Sequence, residues 1–174
     1  MTRGRTIGIV ALALLMLTPS LAYAQRIYWT GGGVWRAELD GSNAKLVVPG
    51  AGGAMALDLI EGKIYFAGGS PGKIQRANLD GSDVQDVVSV YVHGVQSIAL
   101  DLLHRKIYWT DSWWVKNESI LVDGVFRADL DDGANAEPVL PYERETHLRG
   151  IAVDPEGGYL YWTVSAWYFQ GILR

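Results

Sequence analysis

Ile27-Tyr28-Trp29-Thr30, Ile64-Tyr65-Phe66-Ala67, Ile107-Tyr108-Trp109-Thr110-Asp111 and Leu160-Tyr161-Trp162-Thr163 are four spellings of one word. The word recurs at intervals of roughly 40 to 50 residues, the period of a β-propeller blade built on a short aromatic strand. Two further words keep constant order around it. Met55-Ala56-Leu57-Asp58, Ile98-Ala99-Leu100-Asp101 and Ile151-Ala152-Val153-Asp154 come shortly before it. Arg36-Ala37-Glu38-Leu39-Asp40-Gly41, Arg76-Ala77-Asn78-Leu79-Asp80-Gly81 and Arg127-Ala128-Asp129-Leu130-Asp131 follow it, the last with Asp132 inserted before Gly133. Each repeat then closes on a short run of branched residues: Leu46-Val47-Val48, Val87-Val88 or Val139-Leu140.

Turn residues divide each repeat into four short strands. The first carries the Ile-Ala-Leu-Asp word, the second the Tyr-Trp-Thr word and the third the Arg-Ala-x-Leu word. An Asp-Gly pair, the mark of a tight hairpin, leads to the fourth. Side chains alternate along a strand, so Ile107 and Trp109 face one way, Tyr108 and Thr110 the other. Large groups on both faces require a cover on both faces, as a sheet between two neighbouring blades has. The aromatic residues of these words therefore read as packing between blades. Asp58, Asp101 and Asp154 end their strands and are expected to accept bonds from nearby backbone amides.

This arrangement resembles the low-density-lipoprotein receptor class B repeat, the YWTD propeller. The resemblance covers residues 27–174. It rests on the Tyr-Trp-Thr and Ile-Ala-Leu-Asp words and on the Leu-Asp-Gly turns, complete as Leu-Asp-Gly-Ser at 39–42 and 79–82. Six such repeats close into a ring in that family, and the ring binds and spaces rather than catalyses. The resemblance implies an all-β, YWTD-type β-propeller, partial here, with about three and a half four-stranded blades. Only Asp111 supplies the fourth letter of the motif. Gly31, Gly68 and Val164 stand at or near that place elsewhere, and the cysteine-rich modules that usually flank the family's propellers are missing from this sequence.

The first residues read differently. Arg3 and Arg5, the apolar stretch Ile7 to Leu17 and Ala22-Tyr23-Ala24 form a secretory signal peptide over 1–24, with Gln25 the first mature residue. The apolar stretch is short for a membrane span. The expected product, 25–174, is secreted or periplasmic, without a membrane association after cleavage. There is no cysteine, which excludes disulfides and thiolate metal sites. A cysteine-free exported propeller points to a bacterial source. The net charge is −4, and the leader holds two of the basic residues and no acid. Such a balance argues against a nucleic-acid surface. The strand words count three, four, four and three, so a fragment of a longer ring is expected, with self-association of the open arc as the alternative.

Function then falls to the loops. Strand direction alternates within a blade, so the loops joining strands two and three lie at the same end as those between blades. The insertion Asp111–Ser119 brings Trp113, Trp114 and Lys116 to that end, and the fourth repeat brings Trp167 and Tyr168. The loops between blades add Tyr91, His93, Tyr142, Glu143, Arg144, Glu145, His147 and Arg149. Aromatic residues and arginine dominate interface hot spots, so this end is the candidate site for a protein, peptide or carbohydrate. His93 and His147 with Glu143 or Glu145 are the only candidate metal group, and three or four converging ligands would be needed; no metal or other cofactor is expected. His104 lies in the opposite turn. Asn117-Glu118-Ser119 is a formal glycosylation sequon. No serine-nucleophile elbow, His-Glu-x-x-His or phosphate loop occurs. Two classes stay open: a non-catalytic binding or scaffold propeller with no catalytic residue, and a lactonase-like hydrolase or lyase with a central metal.

Overall fold

The computed structural model describes residues 26–69, 72–115, 120–144, 147–166 and 169–173. The expected signal peptide, Lys116, the sequon, Glu145, Trp167 and Tyr168 lie outside them. Every regular element among the described residues is a strand: β1 (Arg26–Thr30), β2 (Gly33–Glu38), β3 (Lys45–Pro49), β4 (Ala51–Asp58), β5 (Lys63–Gly68), β6 (Lys73–Asn78), β7 (Gln85–Val88), β8 (Val95–Asp101), β9 (Lys106–Val115), β10 (Ile120–Asp129), β11 (Glu137–Arg144), β12 (Leu148–Asp154), β13 (Tyr159–Ala166) and β14 (Phe169–Leu173). They form four antiparallel sheets, β1-β2-β3, β4-β5-β6-β7, β8-β9-β10-β11 and β12-β13-β14, the division expected from the repeated words.

The words occupy equivalent places in the pairing. Ala56, Tyr65 and Arg76 stand in line across the second sheet, as Ala99, Tyr108 and Arg127 do across the third. Tyr28 pairs with Arg36 in the first sheet and Tyr161 with Ala152 in the fourth. The innermost strands β4, β8 and β12 pack side by side, which sets the sheets in chain order. Within a word the tryptophan faces the preceding sheet and the tyrosine the following one. Trp109 and Tyr65 thus meet in one core with Ile98, Ile107, Phe126 and Leu130 between the second and third sheets. A second core between the first and second sheets gathers Val34, Val48, Ile64, Phe66 and Leu79. A third, smaller one gathers Val125, Leu148 and Val164. Full burial of one such side chain is worth about 1.5–3 kcal/mol.

The strand-ending aspartates act as expected. Asp58 accepts from the backbone N–H of Ile60 and Glu61 at 2.9 and 3.0 Å, Asp101 from His104 at 2.9 Å and Asp154 from Gly157 at 2.9 Å.

Two expectations fail. The Asp-Gly pairs are not tight two-residue hairpins: residues 39–44 and 79–84 form wider turns. In each, the aspartate accepts from the serine two residues on, at 2.9 Å. These bonds to Ser42 and Ser82 hold the carboxyls of Asp40 and Asp80 below the usual carboxylate range. The competing local bond wins over the short hairpin because a side-chain acceptor is available. Second, the described part of the expected loop insertion, residues 111–115, is strand. Trp113 and Trp114 belong to β9, and Tyr142, Glu143 and Arg144 belong to β11. Trp113, Trp114 and Val115 pair with Val122, Leu121 and Ile120. Branched and aromatic residues on both sides of a turn favour a longer ladder over a loop.

Candidate functional site

Asp111, the one complete fourth letter of the motif, is fully buried and organises the loop that leads into the third sheet. Its carboxylate accepts from the backbone N–H of Gly94 at 2.6 Å and of His93 at 3.0 and 3.1 Å, and lies 3.0 Å from His93 Nδ1. Ser112 N–H donates to Gly94 O at 3.1 Å. The neighbouring Tyr91 adopts a positive φ of 54°. Its carbonyl accepts from Trp109 Nε1 at 2.9 Å, and its ring stacks on Phe126 at 5.2 Å. Every residue of the loop that carries a ring is therefore tied to β9 or β10.

One consequence is an exposed aromatic platform. The His93 imidazole and the Trp113 indole lie parallel, 4.2 Å between centroids and 7° between planes. Trp113 is 47% exposed, and Tyr91 is also exposed. An aromatic face held rigid before a partner arrives loses little conformational entropy on binding.

His147 is arranged separately. Its N–H donates to Asp123 Oδ2 at 2.9 Å, and Ser112 Oγ donates to Asp123 Oδ1. Its carbonyl accepts from Ser165 N–H at 3.1 Å. In the fourth sheet Val164 takes the register place of Asp111, opposite Leu148 as Asp111 is opposite Val95. The fully buried Asp123 thus reaches from the third sheet to hold the loop that the fourth sheet's own strand cannot. Sequence reasoning missed Asp123. An acidic residue inside the apolar run Leu121-Val122-Asp123-Gly124-Val125 was the sign that could have found it.

Of the expected site residues, the structure stacks His93 on Trp113 and places Tyr91 in the same loop, with its ring on Phe126. His147 is anchored on a different carboxylate. The backbone places Trp114 in β9 and Tyr142, Glu143 and Arg144 in β11, the latter two opposite Asp123 and Val122. Among the described residues no group of three or more His, Cys, Asp or Glu is placed to hold a metal. His104 sits at the other end of the sheets, its Nδ1 2.8 Å from Asp101.

No protein-family model matches the chain. Nidogen of Drosophila melanogaster is 33% identical to it over 55 residues, 32% of this chain and 4% of nidogen. A chain of the nidogen/laminin complex superposes with a TM-score of 0.67 at 26% identity, over 84% of this chain and 55% of that one. The chain is a partial YWTD-type β-propeller. A gluconolactonase from Xanthomonas campestris shares the propeller fold, with a TM-score of 0.52 at 18% identity, over 78% of this chain and 52% of that one. The propeller described here spans about half the length of either solved chain and a small part of the curated nidogen. Among its described residues no helix is long and apolar enough to cross a membrane.

Proposed function

We propose that this propeller is a secreted, non-catalytic binding module that holds a protein partner against the platform of Trp113, His93 and Tyr91. The observation that carries the proposal is the exposed His93–Trp113 stack built on the buried Asp111. Interblade packing does not need these two rings, and no other sheet has their equivalent among the described residues. Large, preorganised aromatic groups beside polar backbone are what a protein hot spot uses. A protein of the same fold is named in complex with laminin, which supports a protein partner. The leader at 1–24 supports export. The metal-centred hydrolase finds support in the fold it shares with the gluconolactonase alone.

The test screens a random-peptide display library and a glycan array in parallel with the purified chain. Trp113→Ala and His93→Ala are then compared with the parent for affinity and for melting temperature. The expected result is peptide ligands that lose about 2 kcal/mol or more of binding with Trp113→Ala, at an unchanged melting temperature. Peptide ligands indifferent to both substitutions, or binders found on the glycan array alone, would overturn the proposal.

A further inference from the structure

A cleft of about 230 Å³ adjoins the aromatic platform, between the second sheet and the loop that enters the third. His93 belongs to both: it lines the cleft and stacks on Trp113. On the opposite wall three positions lack the side chains that the next two sheets carry. Met55–Phe66, Ile98–Trp109 and Ile151–Trp162 are equivalent cross-strand pairs. Counted from them, Gly53 stands for Gln96 and Arg149, Ala67 for Thr110 and Thr163, and Gly68 for Asp111 and Val164.

Two features of the second sheet follow. Thr30 Oγ1 donates to Gly53 O at 2.7 Å and Thr110 Oγ1 to Arg149 O at 2.9 Å, each bonding one sheet to the innermost strand of the next. Ala67 has no hydroxyl to repeat that bond toward Gln96, so the seam between the second and third sheets lacks it where the cleft opens. β4 also bulges more than its equivalents. Gly52, Gly53 and Ala54 stand against Ala67 alone, between the pairs Ala51–Gly68 and Met55–Phe66.

Most glycines of the cleft have a structural reason. A Cβ on Gly72 would come within 2.5 Å of Val92 O, and one on Gly94 within 2.5 Å of Ser112 O. Gly52 is crowded by Ala67 and Gly68 by Gln75. Gly50 and Gly69 adopt positive φ values of 72° and 74°. Gly53 alone among the described glycines of the cleft has no such reason: its φ lies outside the left-handed region, and a Cβ there meets nothing within 4 Å. Glycine weakens a strand, and one that packing does not require marks a place where a ligand or another chain comes close.

Size and charge then select the occupant. The volume is below the roughly 300–1,000 Å³ of ordinary small-molecule sites, so it suits a single side chain. Val92 and Val95 supply apolar wall, and Lys73, which also lines the cleft, has its ammonium bound to Asp86. A charged group would find no free counter-ion there among the described residues. Bare backbone opposite an imidazole suits a flat ring. We propose that the cleft receives one aromatic side chain of the protein partner, which enters past Gly53 and lies against His93, extending the stack begun by Trp113. The proposal rests on the reading of this end as the protein-binding face.

The probes are N-acetyl-tryptophanamide, N-acetyl-tyrosinamide and N-acetyl-leucinamide, titrated into isotope-labelled chain and followed by backbone amide shifts. The two aromatic amides are expected to shift Gly53, Gly68 and Gly94 saturably and to bind roughly two- to tenfold tighter than the leucine amide. Gly53→Gln, which copies β8, should abolish those shifts at an unchanged melting temperature, because the position is open. Gly53→Ala should keep them, which separates filling of the cleft from loss of the glycine itself. Absent shifts at these amides, equal affinity for the leucine amide, or binding that survives Gly53→Gln overturns the proposal. None of these readouts uses library peptides. A failed cleft therefore leaves their dependence on Trp113 untouched, and a failed platform is read separately from Trp113→Ala.

Discussion

Trp109 and Trp29 hold the same place in the same word, on strands with the same register, yet Trp109 is 0% exposed and Trp29 is 39% exposed. Each has an aromatic cross-strand neighbour, Phe126 at 5.8 Å for Trp109 and Trp35 at 6.2 Å for Trp29. The difference is the sheet in front of them. The second sheet and the loop through Tyr91 cover Trp109, and no described sheet stands before Trp29. Leu39 and Leu79 repeat the contrast in the turns, at 65% and 0% exposed. The word specifies a strand and a facing. The neighbouring sheet converts that facing into burial.

The largest effect is expected at the tryptophans themselves. Trp109→Ala should cost about 3–5 kcal/mol by urea unfolding, as for other large aromatic residues cut from a core. Trp29→Ala should cost well under half of that. Equal losses would mean that local strand packing, not the neighbouring sheet, sets the energy of the word.

The glycines sharpen the same contrast. Gly41 and Gly81 both sit at positive φ, +81° and +90°, but a Cβ on Gly41 meets nothing within 4 Å whereas one on Gly81 meets the Val47 backbone. Gly41→Ala carries backbone strain alone, about 1 kcal/mol. Gly81→Ala adds an overpacking term of about 1–3 kcal/mol. Thermal melts of the two variants give the difference directly.

A third comparison sets Asp111 against Val164. Asp111→Ala leaves the partly buried amides of His93 and Gly94 without their acceptor, a loss of about 1 kcal/mol. Hydrogen exchange should speed up at those two amides while those of the β12–β13 pairing stay protected. Protection unchanged at His93 and Gly94 would show that the loop is held by Tyr91 and Ser112 instead.

The smallest effect concerns pH at the turn end. Arg105 bridges Asp58 and Glu61, at the turn end of the second sheet, to Asp131 of the third. The Arg105 hydrogen bond holds the Asp131 carboxyl below its usual range. Its folded value is depressed, so this contribution is present above the unfolded value of about 3.9 and is lost as pH falls through the lower folded value. Arg105 is pushed further up, chiefly by the same bond, and stays charged throughout. Arg105→Gln, which keeps a side chain at the same backbone conformation, should therefore lower the melting temperature slightly at pH 7 and leave a smaller gap to the parent near pH 3. A gap that grows in acid would refute the assignment.

Much of the fold was legible because its evidence is local. The three words, their order and the alternation of Ile107 and Trp109 against Tyr108 and Thr110 are properties of a single strand and its turns. The length of β9 and β10 was not legible: nothing local to Trp113 and Trp114 marks them as strand, and the ladder to Val122 and Leu121 does so only across the turn. Of the site, Tyr91, His93 and Trp113 could be sent to one end of the sheets by strand direction. Their stacking could not be foreseen, because it depends on where the Asp111 carboxylate places the His93 ring.

The sequence by itself determined the architecture, the strand count and which face of each strand is apolar, since period and alternation are carried by residues a few positions apart. Only the tertiary structure decided which copies of the word are covered and that Asp111 and Asp123 hold the loops leading into the third and fourth sheets. Each of these depends on what an adjacent sheet brings within a few ångströms, across tens of residues of intervening chain. Identical words therefore end in different environments.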